Sequence, residues 1–296
     1  MSLVPFDDRD GWIWMDGEFV PWREARVHVL THGLHYASSV FEGARLYGGR
    51  AFELTRHSQR LQRSAELLGM TLPFTVAEID QACLDTADRM GLEDAYIRPI
   101  AWRGSEVISI AARATRIHVA IAVWAWPSYF PREERLKGVR LTTAQWRRPA
   151  PDTIPSEAKA AGLYMICTLS KHAAEEAGYT DAMMLDYRGF ISEATGANLF
   201  FVREGVLHTP LPDCFLNGIT RQTIIQLARA RGVNVVERHI LPDELATFTE
   251  CFLTGSAAEV TPVSEISGHL FKPGELTLSL MDEYSTFAGR GAEVEA

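Results

Sequence analysis

Glu193-Ala-Thr-Gly-Ala-Asn198-Leu-Phe200, then Leu207-His-Thr209, then Leu216-Asn-Gly-Ile-Thr-Arg221, is the stretch on which the reading of this chain turns. Short β-forming runs lead into a Gly218-Ile219-Thr220 turn, and Arg221-Gln-Thr-Ile-Ile-Gln-Leu-Ala continues with apolar residues at helical spacing. Thr220 can serve as the N-cap of that helix, whose first N–H groups form an anion site. Glu193 stands between Ile191 and the small residues Ala194, Thr195, Gly196 and Ala197. Upstream, Lys159 sits in Ser156-Glu-Ala-Lys-Ala-Ala-Gly162.

Taken singly, each of these has an ordinary structural reading. A capped helix, a strand-end glutamate and a lysine at a helix start are common features, and Asn198 reads as a turn residue that satisfies backbone groups. The composition sharpens the lysine. Only Lys137, Lys159, Lys171 and Lys272 occur among 29 basic residues, so an amine nucleophile has four candidates. Lys171 falls on the polar face of an amphipathic helix, and Lys137 and Lys272 sit in glycine-adjacent loops. The small neighbours of Lys159 allow close approach and exclude water, which favours a neutral, nucleophilic amine.

A lysine that forms an imine, a carboxylate that protonates a pyridine and a helix start that holds a phosphate are three parts of a pyridoxal phosphate site. Thr254-Gly255-Ser256-Ala257-Ala258 adds hydroxyl and amide donors, and Arg60 is a further candidate for the phosphate.

The bulk properties set limits. The length of 296 residues suits two domains of ordinary size, and 47% hydrophobic against 23% charged residues describes a globular chain with a sizeable core. A net charge of −9 argues against nucleic acid or an anionic membrane as partner. Cys83, Cys167, Cys214 and Cys251 are widely spaced with no CxxC, so neither a disulfide framework nor a metal site is expected. No N-terminal apolar run resembles a signal peptide and no stretch approaches a membrane span, which gives a cytoplasmic expectation.

Along the chain, Trp12–Met15, Asp16-Gly17 and Glu18–Val20 form a hairpin signal. His57–Gly69 and Val76–Gly91 read as helices, and Tyr96–Trp102 and Ile117–Trp126 as strands. Residues 1–125 are therefore expected to form a small α+β domain. The Pro127–Arg135 segment suits a connection, placed at 126–136. Residues 137–296 are expected to form a larger β-rich domain. Its expected elements are a strand at Val139–Trp146, a helix at about Leu163–Ala177, short strands between Asp181 and Thr209, and a helix over Thr220–Arg231 with Gly232 as C-cap. A strand near Cys251–Thr254 and a last helix near Leu276–Phe287 complete it. The elements do not alternate as strict βαβ units.

Together these residues resemble the class IV aminotransferases, the fold type IV pyridoxal phosphate enzymes, whose signature is met from Glu193 to Arg221. The resemblance runs from Trp12 to about Glu265. It is strongest to the branched-chain amino acid aminotransferases, through Val27–Tyr36, Ser39-Val-Phe-Glu-Gly43 with Arg45, Tyr96-Ile-Arg-Pro99 and Pro149–Pro155.

The resemblance implies an α+β, two-domain, D-amino acid aminotransferase-like fold and a pyridoxal 5'-phosphate cofactor. It implies Lys159 as the imine-forming lysine and proton shuttle, Glu193 at the pyridine nitrogen and Tyr164 at the phenolic oxygen. Arg60, Ile219, Thr220 and Ser256 would hold the phosphate. Tyr96, Ser256 and Ala257 would hold the α-carboxylate. Arg98, with Tyr36 of a neighbouring subunit, would receive the distal carboxylate of glutamate or 2-oxoglutarate. Phe41, Trp126, Tyr129 and Tyr164 would line an apolar pocket, with a homodimer or higher homo-oligomer as the active unit.

The same fold hosts other reactions. D-amino acid aminotransferases carry Arg-Gly-x-x-x-Arg-x-His, but this chain has Arg103-Gly104 followed by Ile108 and Ile110 where the second arginine and the histidine would stand. An amine transaminase is expected to lose Tyr36 and Arg98, and Tyr96-Ile-Arg98 favours the aminotransferase over an aminodeoxychorismate lyase. A cofactor-binding protein without activity is disfavoured by the intact Lys159.

Overall fold

Two strands, β1 (Trp12–Met15) and β2 (Glu18–Pro21), meet at Asp16 and Gly17, both with positive φ, 52° and 100°. This is the geometry a two-residue hairpin turn demands, and it is the hairpin expected from sequence. In the computed structural model, residues 4–126 and 136–289 are described. They divide into two compact units, one of 4–126 with Ala158–Gly162 and one of 136–157 with 163–289.

In the first unit, a short helix α1 (His32–Tyr36) precedes β3 (Ser39–Phe41), β4 (Ala44–Tyr47) and β5 (Arg50–Ala51). Helices α2 (Leu54–Leu67) and α3 (Val76–Met90) follow, then β6 (Ala95–Arg103) and β7 (Ile117–Ala125). The sheet order is β2-β1-β7-β6-β4-β5, with β3 also on β6, and all pairings are antiparallel.

Alternation along β6 and β7 sends Ile97, Ala101, Val119, Ile121 and Val123 into a wholly buried layer. Helices α2 and α3 pack against this sheet. The alternate positions, Tyr96, Arg98, Ile100, Ala120, Ala122 and Trp124, belong to the other face. Helix α3 begins with a reciprocal capping box between Thr75 and Glu78 and ends at Gly91, φ 64°.

The lysine-bearing segment departs from its expected place. Ala160 bridges Val40, and the Phe41 N–H donates to the Lys159 carbonyl at 3.1 Å, so Ala158–Gly162 groups with the first unit rather than with residues 137–296.

The second unit contains β8 (Val139–Thr143), α4 (Met165–Glu176), β9 (Asp181–Leu185), β10 (Ile191–Ala194), β11 (Asn198–Arg203) and β12 (Val206–Pro210). Then come α5 (Ile219–Ala230), β13 (Val235–Arg238), β14 (Glu250–Gly255), β15 (Glu259–Ile266), β16 (His269–Leu270) and α6 (Glu275–Ala288). The sheet runs β10-β9-β8-β15-β14-β11-β12-β13, and a Glu193–Asn198 pairing between β10 and β11 closes its first six strands into a ring. Leu141, Met183, Ile191, Leu199, Phe201, Leu253 and Val263, drawn from all six, share one buried cluster. On the alternate side of β11 and β14, Phe200 and Phe252 stack at 4.9 Å.

Two expectations are corrected here. The strand placed at Val139–Trp146 stops at Thr143, because the chain bends at Gln145-Trp146 before rejoining β9 through an Arg148–Asp186 bridge. The cap of α5 is Gly218, in extended conformation, and Thr220 lies inside the first turn. The expected connection 126–136 lies, apart from its ends, outside the described residues.

Candidate active site

Each unit carries its own constellation. In the first, Lys159 is fixed through its backbone: its N–H donates to Ser64 Oγ at 2.9 Å and its carbonyl accepts from Phe41. Its side chain is half-buried, with Nζ 4.9 Å from the centre of the Phe41 ring. The other three lysines lie elsewhere: Lys137 and Lys272 are exposed, and Lys171 donates to the Thr180 carbonyl and pairs with Glu175.

Arg98 extends over the same aromatic surface. Its guanidinium carbon stands 4.9 Å from the Phe41 ring centre, 5.1 Å from Tyr96 and 5.9 Å from Trp124. Tyr96 in turn lies 5.1 Å from Trp124 and 5.2 Å from Trp126. Aromatic faces attract a guanidinium and also shelter aliphatic groups, so this surface offers both a cation and apolar contact. Of the residues expected around substrate, Phe41, Tyr96, Arg98 and Trp126 come together with Lys159; Trp124 joins them unforeseen. Gly43 is required beside them, because a Cβ there would fall 1.8 Å from the Tyr96 hydroxyl. On the same unit a cavity of about 280 Å³ is lined by Ile13, Leu34, Ser39, Ile100 and Trp102, with Arg98 its single charged residue.

Arg60, the expected phosphate ligand, pairs bidentately with Glu42, Nε to Oε1 at 2.6 Å and Nη2 to Oε2 at 2.9 Å, and His57 Nδ1 lies 2.7 Å from the same Oε2. His57 and Arg60 stand three apart on α2 and so share a face. Burial pushes the Glu42 carboxyl upward, but the charge of Arg60 and hydrogen bonds from His57 and Arg60 outweigh it and hold the group well below the usual carboxylate range. Burial and Arg60 lower His57 despite Glu42, which keeps the ring neutral. Sequence reasoning misses this triad, although the α2 spacing is a usable signal. Tyr36 stands at the end of α1, 43% exposed.

In the second unit Glu193 is buried and held at both oxygens. Arg148 Nη2 lies 2.6 Å from Oε1, and Asn198 Nδ2 donates to Oε2 at 3.2 Å. Burial works against the charge of Arg148, but Glu193 raises its pKa overall. The bend after β8 delivers Arg148; nothing in its sequence neighbourhood announces it.

Asn198 does more than satisfy a turn. Its Nδ2 also donates to the Leu216 carbonyl at 3.0 Å, and its Oδ1 accepts the Gly218 N–H at 3.1 Å. One carboxamide therefore connects Glu193 to the start of α5. A Cβ on Gly218 would sit 2.3 Å from that Oδ1, which explains the glycine. The first bond within α5 runs from Gln222 to Gly218, so the amides of Ile219, Thr220 and Arg221 have no partner inside the helix.

Arg221 anchors this helix start. It donates to Thr209 Oγ1, the Pro210 carbonyl, Asn217 Oδ1 and Glu237 Oε2, and it is almost wholly buried. Ser256 and Ala257 occupy the β14–β15 turn, two and three positions beyond Thr254, which pairs with Asn198. Tyr164 is the residue before α4 and is half-buried. Tyr129 lies outside the described residues.

The family described as amino-transferase class IV matches residues 39–266. A probable branched-chain-amino-acid aminotransferase of Rickettsia conorii is 42% identical over 90% of each chain. A branched-chain-amino-acid aminotransferase of Pseudomonas aeruginosa is 40% identical over 98% of this chain and 96% of its own. A crystal structure of a branched-chain aminotransferase from the thermophilic archaeon Thermoproteus uzoniensis, with norvaline, superposes with a TM-score of 0.90 at 36% identity, covering 95% of this chain and 96% of its own.

Proposed function

The chain belongs to the class IV aminotransferases, and we propose that it transfers the amino group of branched-chain L-amino acids to 2-oxoglutarate, using pyridoxal 5'-phosphate. The observation that carries the substrate reading is Arg98 set among Phe41, Tyr96 and Trp124. An aliphatic side chain finds apolar rings there, and the distal carboxylate of glutamate finds a guanidinium.

The residues fit the cofactor. Glu193 is a buried carboxylate held in place by two donors, α5 offers free amides behind a glycine, and Lys159 is a half-buried amine on a pinned backbone. When bound, the cofactor supplies an electron sink for negative charge developing at the α-carbon of the amino acid. Lys159 Nζ is assigned the imine bond and the movement of the α-proton. Glu193 keeps a proton at the ring nitrogen, and Arg148 and Asn198 keep Glu193 oriented. Tyr164 is assigned the phenolic oxygen, and Ile219, Thr220, Ser256 and Arg60 the phosphate. Arg60 serves while paired with Glu42, which fixes its guanidinium. Tyr96, with the amides of Ser256 and Ala257, is assigned the α-carboxylate. Trp126 and Tyr129 complete the apolar lining.

A homodimer is the proposed active unit. Tyr36, Ile108 and Ile110 are 43%, 46% and 82% exposed, an apolar surface suited to a second copy. Among the described residues no helix is long and apolar enough to cross a membrane. We place the enzyme in the cytoplasm, where the four buried free thiols would stay reduced.

The test is purified protein with cofactor, L-leucine and 2-oxoglutarate, following 4-methyl-2-oxopentanoate. Its formation is expected. Bound cofactor with no half-reaction by any amino acid would sink the enzyme reading, and reaction with D-alanine but not L-leucine would sink the substrate assignment.

A further inference from the structure

Phe6 meets the aromatic surface of the first unit from the amino-terminal side. Its ring centre lies 5.2 Å from that of Trp124, with the two planes at 81°, a near-perpendicular contact. The segment that carries it is held at several points. The Asp8 N–H donates to the Pro5 carbonyl at 3.3 Å, which turns the chain at Phe6. Trp22, which is buried, donates its indole N–H to the Phe6 carbonyl and its backbone N–H to the Gly11 carbonyl at 2.9 Å. Arg9 lies over the Phe6 ring, its guanidinium carbon 3.7 Å from the centre. Arg23 pairs with Asp8 at 2.6 Å and with Asp10 at 2.7 Å. Those ion pairs are exposed and contribute little, so the indole bond and the ring contacts fix this strap.

Trp124 depends on such support. Its Nε1 is buried and has no hydrogen-bond partner among the described residues, so packing sets the ring. Tyr96 faces it across β6 and β7, ring centres 5.1 Å apart, and the Arg98 guanidinium carbon stands 5.9 Å from it. Arg98 is itself lightly held. It makes one long bond, Nη2 to the Tyr96 hydroxyl at 3.4 Å, and its buried Nε has no partner among the described residues. The surrounding rings therefore do most to aim the guanidinium, and a tilt of Trp124 is passed on to it.

We infer that Phe6 is a positioning residue. Through Trp124 it holds Arg98 in the direction that receives a second carboxylate, and so it favours a dicarboxylic 2-oxo acid over a branched aliphatic one. This rests on the distal carboxylate assigned to Arg98 under Proposed function. Bonds between a guanidinium and a carboxylate are directional, whereas apolar contact is not. A loosened Trp124 therefore costs 2-oxoglutarate more than an aliphatic acceptor, and the cost falls on KM more than on kcat.

The experiment uses the holoenzyme with Phe6→Ala and Phe6→Tyr, L-valine as donor, and either 2-oxoglutarate or 4-methyl-2-oxopentanoate as acceptor. Phe6 is 55% exposed, so neither substitution opens the core. In the alanine variant KM for 2-oxoglutarate should rise about two- to tenfold, the worth of one aromatic pair, with kcat little changed. KM for 4-methyl-2-oxopentanoate should move less, and tyrosine, which keeps the ring, should restore both. In 15N-labelled holoenzyme the Trp124 indole resonance, assigned by its loss in Trp124→Phe, should broaden or split in the alanine variant and stay sharp in the tyrosine variant. An equally sharp resonance in the alanine variant overturns the inference. So does a broadened one with KM for 2-oxoglutarate unchanged, or with both acceptors equally impaired. If the wild type does not use 2-oxoglutarate, the proposed function falls, while the Trp124 resonance still decides whether Phe6 holds that ring.

Discussion

Arg148 and Glu193 form an ion pair at 2.6 Å with side chains each only 6% exposed. Removing one partner of such a pair strands the other charge without water. Arg148→Met should destabilise the protein by about 3–5 kcal/mol in chemical denaturation. The double variant with Glu193→Gln should recover a large part of that loss. Equal stability of the single variant and wild type would show that the pair contributes nothing.

Lys159→Ala should leave the fold intact and reduce transamination at least ~10³-fold, since the nucleophile and proton carrier proposed above would both be gone. Lys159→Arg should not rescue it, because a guanidinium does not deprotonate near neutral pH. Product formation from L-leucine measures the activity, and circular dichroism the fold. Activity within tenfold of wild type in either variant would remove Lys159 from its assigned role.

Glu42 gives a pH-dependent prediction. Its burial favours the neutral acid, but Arg60 and His57 prevail, so its folded value lies below the unfolded one. The unfolded chain then takes up this proton first as pH falls. The triad's stabilisation is complete above the unfolded glutamate value of ~4.3, and it fades as pH drops below that toward the depressed folded value. Glu42→Gln should lower Tm clearly at pH 7, and its gap from wild type should narrow toward pH 3. A gap that stays constant would contradict this account.

At the start of α5, Gly218→Ala should push the Asn198 carboxamide aside, given the 2.3 Å approach. Asn198→Ala should have the same consequence by removing the bonds its carboxamide makes to the Gly218 N–H and to Glu193 Oε2. Each should weaken cofactor binding by about tenfold or more, the equivalent of one lost buried hydrogen bond. Equilibrium dialysis against pyridoxal 5'-phosphate reads this directly, and unaltered affinity in both variants would argue against α5 as the phosphate site.

Local chemistry explains which elements are legible in the sequence. Asp16-Gly17 is readable because both residues must adopt positive φ there. The Val76–Gly91 helix is readable because Thr75, Glu78 and Gly91 are sequence-local caps. The first turn of α2 escapes because its N-cap, Glu53, has φ 52° and no side-chain cap, so no capping signature marks it. Thr220 looks like a cap because threonine commonly is one, but Asn198, far off in sequence, selects Gly218 instead. Among the assigned residues, Lys159 and Glu193 stand out by company, while Arg148, His57 and Glu42 do not. Apart from the His57–Arg60 spacing on α2, their roles arise from partners in distant segments, which no local pattern encodes. The placement of Ala158–Gly162 with the first unit has the same origin, in the bridge from Ala160 to Val40.

The ring of the second unit has a consequence for how the protein is born. One of its two parallel seams joins Val139 of β8 to Val263 of β15, and the Glu193–Asn198 closure comes from strands made between them. Translation delivers β8 and β9 long before β15 exists, so the nascent β8 waits with one edge uncovered. Such late, long-range pairing is slow, and an uncovered edge invites pairing with another chain. The yield of active protein should therefore depend on chaperones and growth temperature during synthesis more than the stability of the finished enzyme would suggest.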